Sequence, residues 1–283
     1  MRLMVILAVL MLSACQHVSK PPPVVGEIRD LHSGERLTAQ ELLARLAKPS
    51  RLIVGEQHDN RDQHELQRWL LQALGERRPQ GSLLLEMLTP DQQLRVDDVR
   101  HASTQPADLP GALAWQSGWD WNLYGPIIRF ALTQPYPLLA ANLDTVEVRA
   151  LYAQPPALSG TRSNAAPVKS ELLAQISESH CGLLPQSQMP AMLAVQQQRD
   201  RRMAERLLAA PTPSLLFAGA HHARNDVGVP IHVLDLGAPE APVVLMLAQQ
   251  GGEVTAAMAD YVWYTPDTPV PDYCAEMRKQ FGL

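Results

Sequence analysis

The chain has 283 residues, a formal net charge of −5, and 46% apolar but only 5% aromatic residues. An acidic balance without a basic run excludes nucleic acid as an expected partner. The length suits one large domain with a sizeable core, and the sequence shows no internal repeat and no low-complexity tract.

Residues 1–14 read as a secretion signal. Arg2 gives a positive start, residues 3–12 an apolar run, and Leu12-Ser13-Ala14-Cys15 a small-residue end before a cysteine. The run falls short of the roughly 20 apolar residues that span a bilayer. Cys15 is therefore expected to be lipidated, and Gln16 after it, in place of Asp, fits the bacterial pattern for sorting to the outer membrane. The plainer alternative is an ordinary secretory signal or a buried N-terminal helix. Residues 15–27, with three consecutive prolines, form an extended tether. Residues 28–283 form the folded domain.

Within that domain the pattern alternates. Leu42, Leu43 and Leu46 behind Thr38 predict a helix over 38–48, and the apolar run 51–54 a buried strand ending at Gly55. A helix from Asp62 to Gly75 presents Leu66, Trp69, Leu70, Ala73 and Leu74 on one face. A buried strand over 82–85 follows, then a polar helix or turn over 91–99, a helix over 127–132 and a strand over 138–141. The Pro- and Ser-rich stretch 153–167 marks a loop. With helices over 170–179 and 189–210, it predicts a helical insert spanning about residues 153–210. Strands are expected at 214–217, 231–234 and 243–248, and the last twenty-odd residues look irregular. Alternation of this kind predicts an α/β fold with a central, mostly parallel sheet flanked by helices. Cys181 and Cys274 remain besides Cys15, and the sequence leaves their pairing open.

Several strands run into ionisable residues, where α/β sheets place ligands. The first is followed by Glu56, His58, Asp59, Asp62 and His64, the second by Glu86, and the strand at 214–217 by His221 and His222. Glu56 and His58 alternate on one face of an extended segment, as base and orienter or as two ligands; the structural alternative is a helix cap and a turn. A carboxylate placed like Glu86 must be paired, protonated or cation-bound. Only one of His221 and His222 is expected to point inward, and the reading assigns the role to His221. Asn142, at a fourth strand end, is suited to orienting a carboxylate or to a turn. His58, His64, Glu86 and His221 are nitrogen and oxygen donors suited to a divalent metal ion, although their spacing matches no standard zinc motif. No G-x-S-x-G elbow and no nucleotide-binding glycine motif occurs.

Trp115, Trp119, Trp121 and Tyr124 fall within ten residues of this aromatic-poor chain. Such a cluster can wall a flat apolar ligand or simply pack into a core; tyrosinate and histidine both ligate haem iron. With this cluster, Gly55-Glu56-Gln57-His58-Asp59-Asn60 and His64, Glu86-Met87, His180-Cys181-Gly182, Gln198-Arg199-Asp200 with Met203-Ala204, and Ala218-Gly219-Ala220-His221 resemble, in order, the ChaN-like haem-binding lipoprotein family.

That resemblance implies an α/β fold with a helical insert and haem held between two subunits through tyrosine ligation, hence a homodimer on haem binding. It also implies a role in bacterial haem and iron uptake at the outer membrane, with a haem receptor as a further partner. Tyr124 and Tyr152 are the axial candidates, with His58 beside them, and Arg61 and Arg224 are candidate partners of the haem propionates. The superfamily also contains Tiki-type metalloproteases and erythromycin-esterase-like hydrolases, whose acids and histidines resemble Glu56, His58, Glu86 and His221. A non-enzymatic haem-binding lipoprotein is the leading expectation. The alternative is a hydrolase, either with a divalent metal activating water or with His58 as a general base.

Overall fold

A computed structural model describes residues 20–269 and 272–280. Residues 1–14 and Cys15 lie outside this range. In chain order the elements are β1 (Ile28–Asp30), β2 (Arg36–Leu37), α1 (Ala39–Leu46), β3 (Arg51–Glu56), α2 (Arg61–Gly75), β4 (Ser82–Leu85), α3 (Gln93–His101), α4 (Leu109–Ala112), α5 (Trp121–Leu132) and β5 (Leu138–Ala140). They continue with α6 (Thr145–Ala153), α7 (Ala166–Ser179), α8 (Met189–Ala209), β6 (Ser214–Gly219), α9 (Ala220–Ala223), α10 (Val229–Asp235), β7 (Val243–Gln249), β8 (Tyr261–Thr265) and α11 (Tyr273–Gln280).

The strands form one sheet in the order β2-β1-β8-β7-β3-β6-β4-β5. From β8 to β5 every pairing is parallel, and only the two pairings of β1, with β8 and with the edge strand β2, are antiparallel. The fold is thus α/β with a mostly parallel sheet flanked by helices, as the alternation predicts. Strand side chains alternate between faces, so Val54, Leu85, Phe217 and Leu247 pack against α1, α2 and α5. Ile53, Leu84, Leu216 and Met246 face the opposite way, onto α8 and α10. Each such fully buried side chain contributes about 1.5–3 kcal/mol.

Three expectations change. Residues 231–234 are not a strand: they lie within α10, whose Ile231, His232 and Val233 are buried. A short buried apolar run carries no period that separates helix from strand. Residues 261–265 are not irregular but form β8, paired to β7 on one side and β1 on the other, and the tail ends in α11. The helical run between β5 and β6 begins at Thr145, ahead of the expected insert.

Cys181 and Cys274 are disulfide-bonded with Cα atoms 5.6 Å apart, which fastens α11 to the turn after α7.

Candidate functional site

β3 runs two residues past its apolar stretch and delivers Glu56 at the sheet edge, where α2 begins after a four-residue turn. Asn60 caps α2 by accepting from the Gln63 amide at 3.1 Å. Gln57 and Gln63 bond each other reciprocally across the turn at 2.7 and 3.0 Å. The turn that presents His58 is therefore fixed on both sides. Gly219, at the end of neighbouring β6, permits the approach of His58: a Cβ there would lie 2.7 Å from His58 Nε2.

Glu56 is 1% exposed. Its Oε1 accepts from His58 Nδ1 at 2.7 Å and from the Tyr124 hydroxyl at 2.9 Å. His64 Nε2 donates to the His58 carbonyl at 3.1 Å and stands 3.4 Å from Glu56 Oε2. The ring of Trp119 meets His58 edge-on at 4.8 Å, and Tyr124 meets His64 at 4.4 Å. The aromatic cluster thus walls one side of the polar site. Burial opposes a charge on His58, but the Glu56 hydrogen bond and the carboxylates of Glu86, Glu56 and Asp59 push its pKa up to about 9. Burial, followed by the Glu56 charge, drives the Tyr124 phenol well above its usual range.

A second cluster lies across Gly219. Glu86, also 1% exposed, accepts from the Gly219 amide at 2.7 Å. His222 stands between Glu86 Oε1 at 3.4 Å and Asp200 Oδ1 at 2.6 Å. Burial pushes Asp200 up to about 6 despite the attraction of His222. Burial likewise raises Glu86, but the His222 and His58 imidazoles and the Gly219 amide together outweigh it and hold its carboxyl below the ordinary value. For His222 the two carboxylates overcome burial and raise its pKa.

The structure brings together Glu56, His58, His64, Glu86 and Tyr124, but it replaces one expected member. His221 is exposed and makes no hydrogen bond among the described residues, whereas the inward group is His222. The chain turns into α9 directly after Gly219, so the second histidine swings under the sheet edge. Asp200 was missed as well. Its position on the buried stripe of α8, beside Met203 and Ala204, was the available signal.

The expected metal set does not assemble: among the described residues no three His, Cys, Asp or Glu side chains are arranged to hold an ion. Asn142 donates to the Glu86 carbonyl at 3.0 Å, a supporting position. Tyr152 stands apart on α6, 39% exposed. Arg61 opens α2 and is exposed. Arg224 is already occupied, by Asp226 at 2.7 and 2.9 Å and Glu171 at 2.9 Å.

Residues 42–233 match the model of a family described as haem-binding uptake, Tiki superfamily, ChaN. Among solved structures, the chain is similar to ChaN of Campylobacter jejuni with cofacial haem, at 27% identity and a TM-score of 0.79, covering 86% of this chain and 97% of that one. Weaker likenesses are to an erythromycin esterase mutant in its open conformation (12% identity, TM-score 0.46, 91% of this chain and 87% of that one). RRSP, a toxin effector domain from Vibrio vulnificus, gives 14%, 0.47, 87% and 42%. No curated protein matches the chain significantly.

Proposed function

Because the chain belongs to the haem-binding uptake family of the Tiki superfamily, we propose that it carries haem as cargo in bacterial haem and iron uptake. The observation that carries this reading is the match over residues 42–233, joined to a structural likeness over most of both chains.

The chain offers a suitable surface. Helix α6 buries none of its residues and exposes Val146 and Tyr152, with Leu151 half-buried between them. The exposed phenol of Tyr152 is open to an iron atom and to the flat macrocycle around it. Tyr124 is sealed behind Glu56 and held protonated, which opposes a tyrosinate there. Tyr152 is thus the axial ligand in this account. Exposed Arg149, one turn before Tyr152, serves a propionate better than the occupied Arg224. Two copies that face each other through α6 would enclose the haem as a homodimer.

Lipidation at Cys15 and the proline-rich tether would hold the domain at the outer membrane, where a haem receptor is its partner. Titration of the purified protein with hemin tests the reading: a saturable shift of the Soret band supports it, and retention of the free-hemin spectrum overturns it.

The two carboxylate–imidazole clusters favour a second reading, hydrolysis of an ester or amide without a metal. With its pKa raised, His58 is an imidazolium at neutral pH and acts as proton donor rather than general base. Hydrolysis of p-nitrophenyl acetate, lost in His58→Ala while its circular dichroism shows the protein still folded, would support it; equal rates in both proteins would exclude it.

A further inference from the structure

Helix α11, the last of the described residues, is 8 residues long, and none of its described side chains is buried. Cys274, Ala275 and Met277 are half-buried; Tyr273, Glu276, Arg278 and Lys279 are exposed. A helix this short falls below the roughly 12–15 residues at which an isolated helix becomes even marginally stable in water. Without a buried apolar face, packing supplies little to offset the entropy lost in ordering it. Specific attachments must therefore keep α11 in place.

Among the described residues one attachment is covalent and one is polar. Cys274 is bonded to Cys181 in the turn after α7. One residue earlier, the Tyr273 hydroxyl donates to the Asp59 carboxylate, in the turn that presents His58. Upstream of the helix, Asn60 Nδ2 reaches Thr268 Oγ1 at 3.5 Å, and the Thr268 amide donates to Gln249 Oε1 at 3.0 Å. The C-terminal tail thus touches Asp59 and Asn60, the two residues after His58, and the Asp59 charge is one of those that favour the His58 imidazolium. A phenol–carboxylate contact between exposed residues competes with water and cannot alone hold the helix in order. The disulfide makes that contact effectively intramolecular, keeping Tyr273 beside Asp59 each time it opens.

We propose that α11 is a redox-controlled arm: the oxidised protein holds it against the turn that carries His58, and a dithiol reductant releases it while the domain stays folded. One reductant thiolate attacks a cysteine sulfur, forming a mixed disulfide and freeing the other cysteine as a thiolate. The second reductant thiol, as its thiolate, then attacks the mixed disulfide, so that the reductant leaves as its own disulfide and the second cysteine is freed. Two electrons pass to the protein, and the cysteine thiolates take up protons. Neither cysteine is fully buried, so the bond lies near the surface where a reductant approaches. Release leaves the His58 turn held by the Gln57–Gln63 pair and the Asn60 cap, with the Asp59 carboxylate open to solvent.

Hydrogen–deuterium exchange of the full chain, with and without dithiothreitol, tests the arm at neutral pH. Once thiol titration shows that the bond is open, the α11 amides should exchange at least about tenfold faster, while those of β3 and β6 keep their protection. The full-chain variant Cys181→Ser/Cys274→Ser should match the reduced protein without any reductant. In the oxidised protein the Asp59 contact holds the Tyr273 phenol up at about 12, so at pH 10 it stays protonated; in the double variant it should return toward the ordinary value of 10 and be about half ionised by NMR. The His58 ring resonances should move with it. Undiminished α11 protection after reduction, loss of protection in β3 and β6 as well, or Tyr273 and His58 signals identical in the double variant and wild type would each overturn the proposal.

Discussion

Asp200 and His222 meet at 2.6 Å inside the protein, one from the buried stripe of a long helix and the other from the single turn that follows a central strand. Glu86 lies 3.4 Å from the other ring nitrogen of His222. One imidazole therefore serves two buried carboxyls, and neither acid has another charged side chain within ion-pair distance among the described residues.

Removing that imidazole strands both acids. His222→Ala should destabilise the fold by about 3–5 kcal/mol, because a charge deprived of its buried partner retains its desolvation penalty. Asp200→Asn, which keeps an acceptor for the ring, should cost less, about 1–3 kcal/mol. Urea unfolding of the two variants gives the order; equal midpoints for His222→Ala and wild type would contradict the pairing.

The Glu56–His58 contact makes stability depend on pH. The folded pKa of His58 is about 9, above the ordinary imidazole value of 6.5, so the folded state binds the proton more tightly than the unfolded chain. Its contribution is complete below the unfolded pKa and is lost as pH rises through about 9. Because the side chain is 42% exposed, solvent weakens the effect. NMR titration should show the His58 pKa falling in Glu56→Gln, together with a flatter stability profile across the same pH window. An unchanged His58 titration would refute the coupling.

Two glycines separate packing from site geometry. At Gly55 a Cβ would lie 2.7 Å from both Ala223 Cβ and Met246 Sδ, between α9 and the sheet, so Gly55→Ala should cost about 1–3 kcal/mol. At Gly219 the obstacle is the movable His58 ring at 2.7 Å, so Gly219→Ala should cost less but displace the imidazole from Glu56 and lower its pKa. Thermal melts and His58 titrations of both variants distinguish these effects.

The disulfide joins residues 93 apart in sequence. Chain-entropy arguments put the stabilisation from a loop of this size at about 4.7 kcal/mol, with typical values of about 2–4. Cys274→Ser should lower the urea midpoint accordingly, and reduction should do nothing further to that variant. An additional loss on reduction would mean that another cysteine contact matters.

The sequence carries the centre of the fold plainly, because strands buried on both faces must be apolar throughout: β3, β4, β6 and β7 each contain such a run. Their polar ends point to Glu56, His58 and Glu86 for the same reason. β8 escaped notice because its aromatic residues sit just before a proline-rich tail, and its place in the sheet comes from pairing with distant β1 and β7. The choice between His221 and His222 depends on how sharply the chain turns after Gly219, which no spacing rule encodes. Tyr124 shows the same limit from the other side: its sequence neighbours mark an aromatic wall, but only the approach of α5 to α2 seals its hydroxyl against Glu56.

Haem capture by the exposed phenol of Tyr152 is tested most directly by hemin titration of wild type, Tyr152→Phe and Tyr124→Phe. Wild type and Tyr124→Phe should both shift the Soret band and saturate, whereas Tyr152→Phe should lose the tyrosinate signature and most of its affinity. Loss of binding in Tyr124→Phe with Tyr152→Phe unaffected, or no spectral change in wild type, would contradict it.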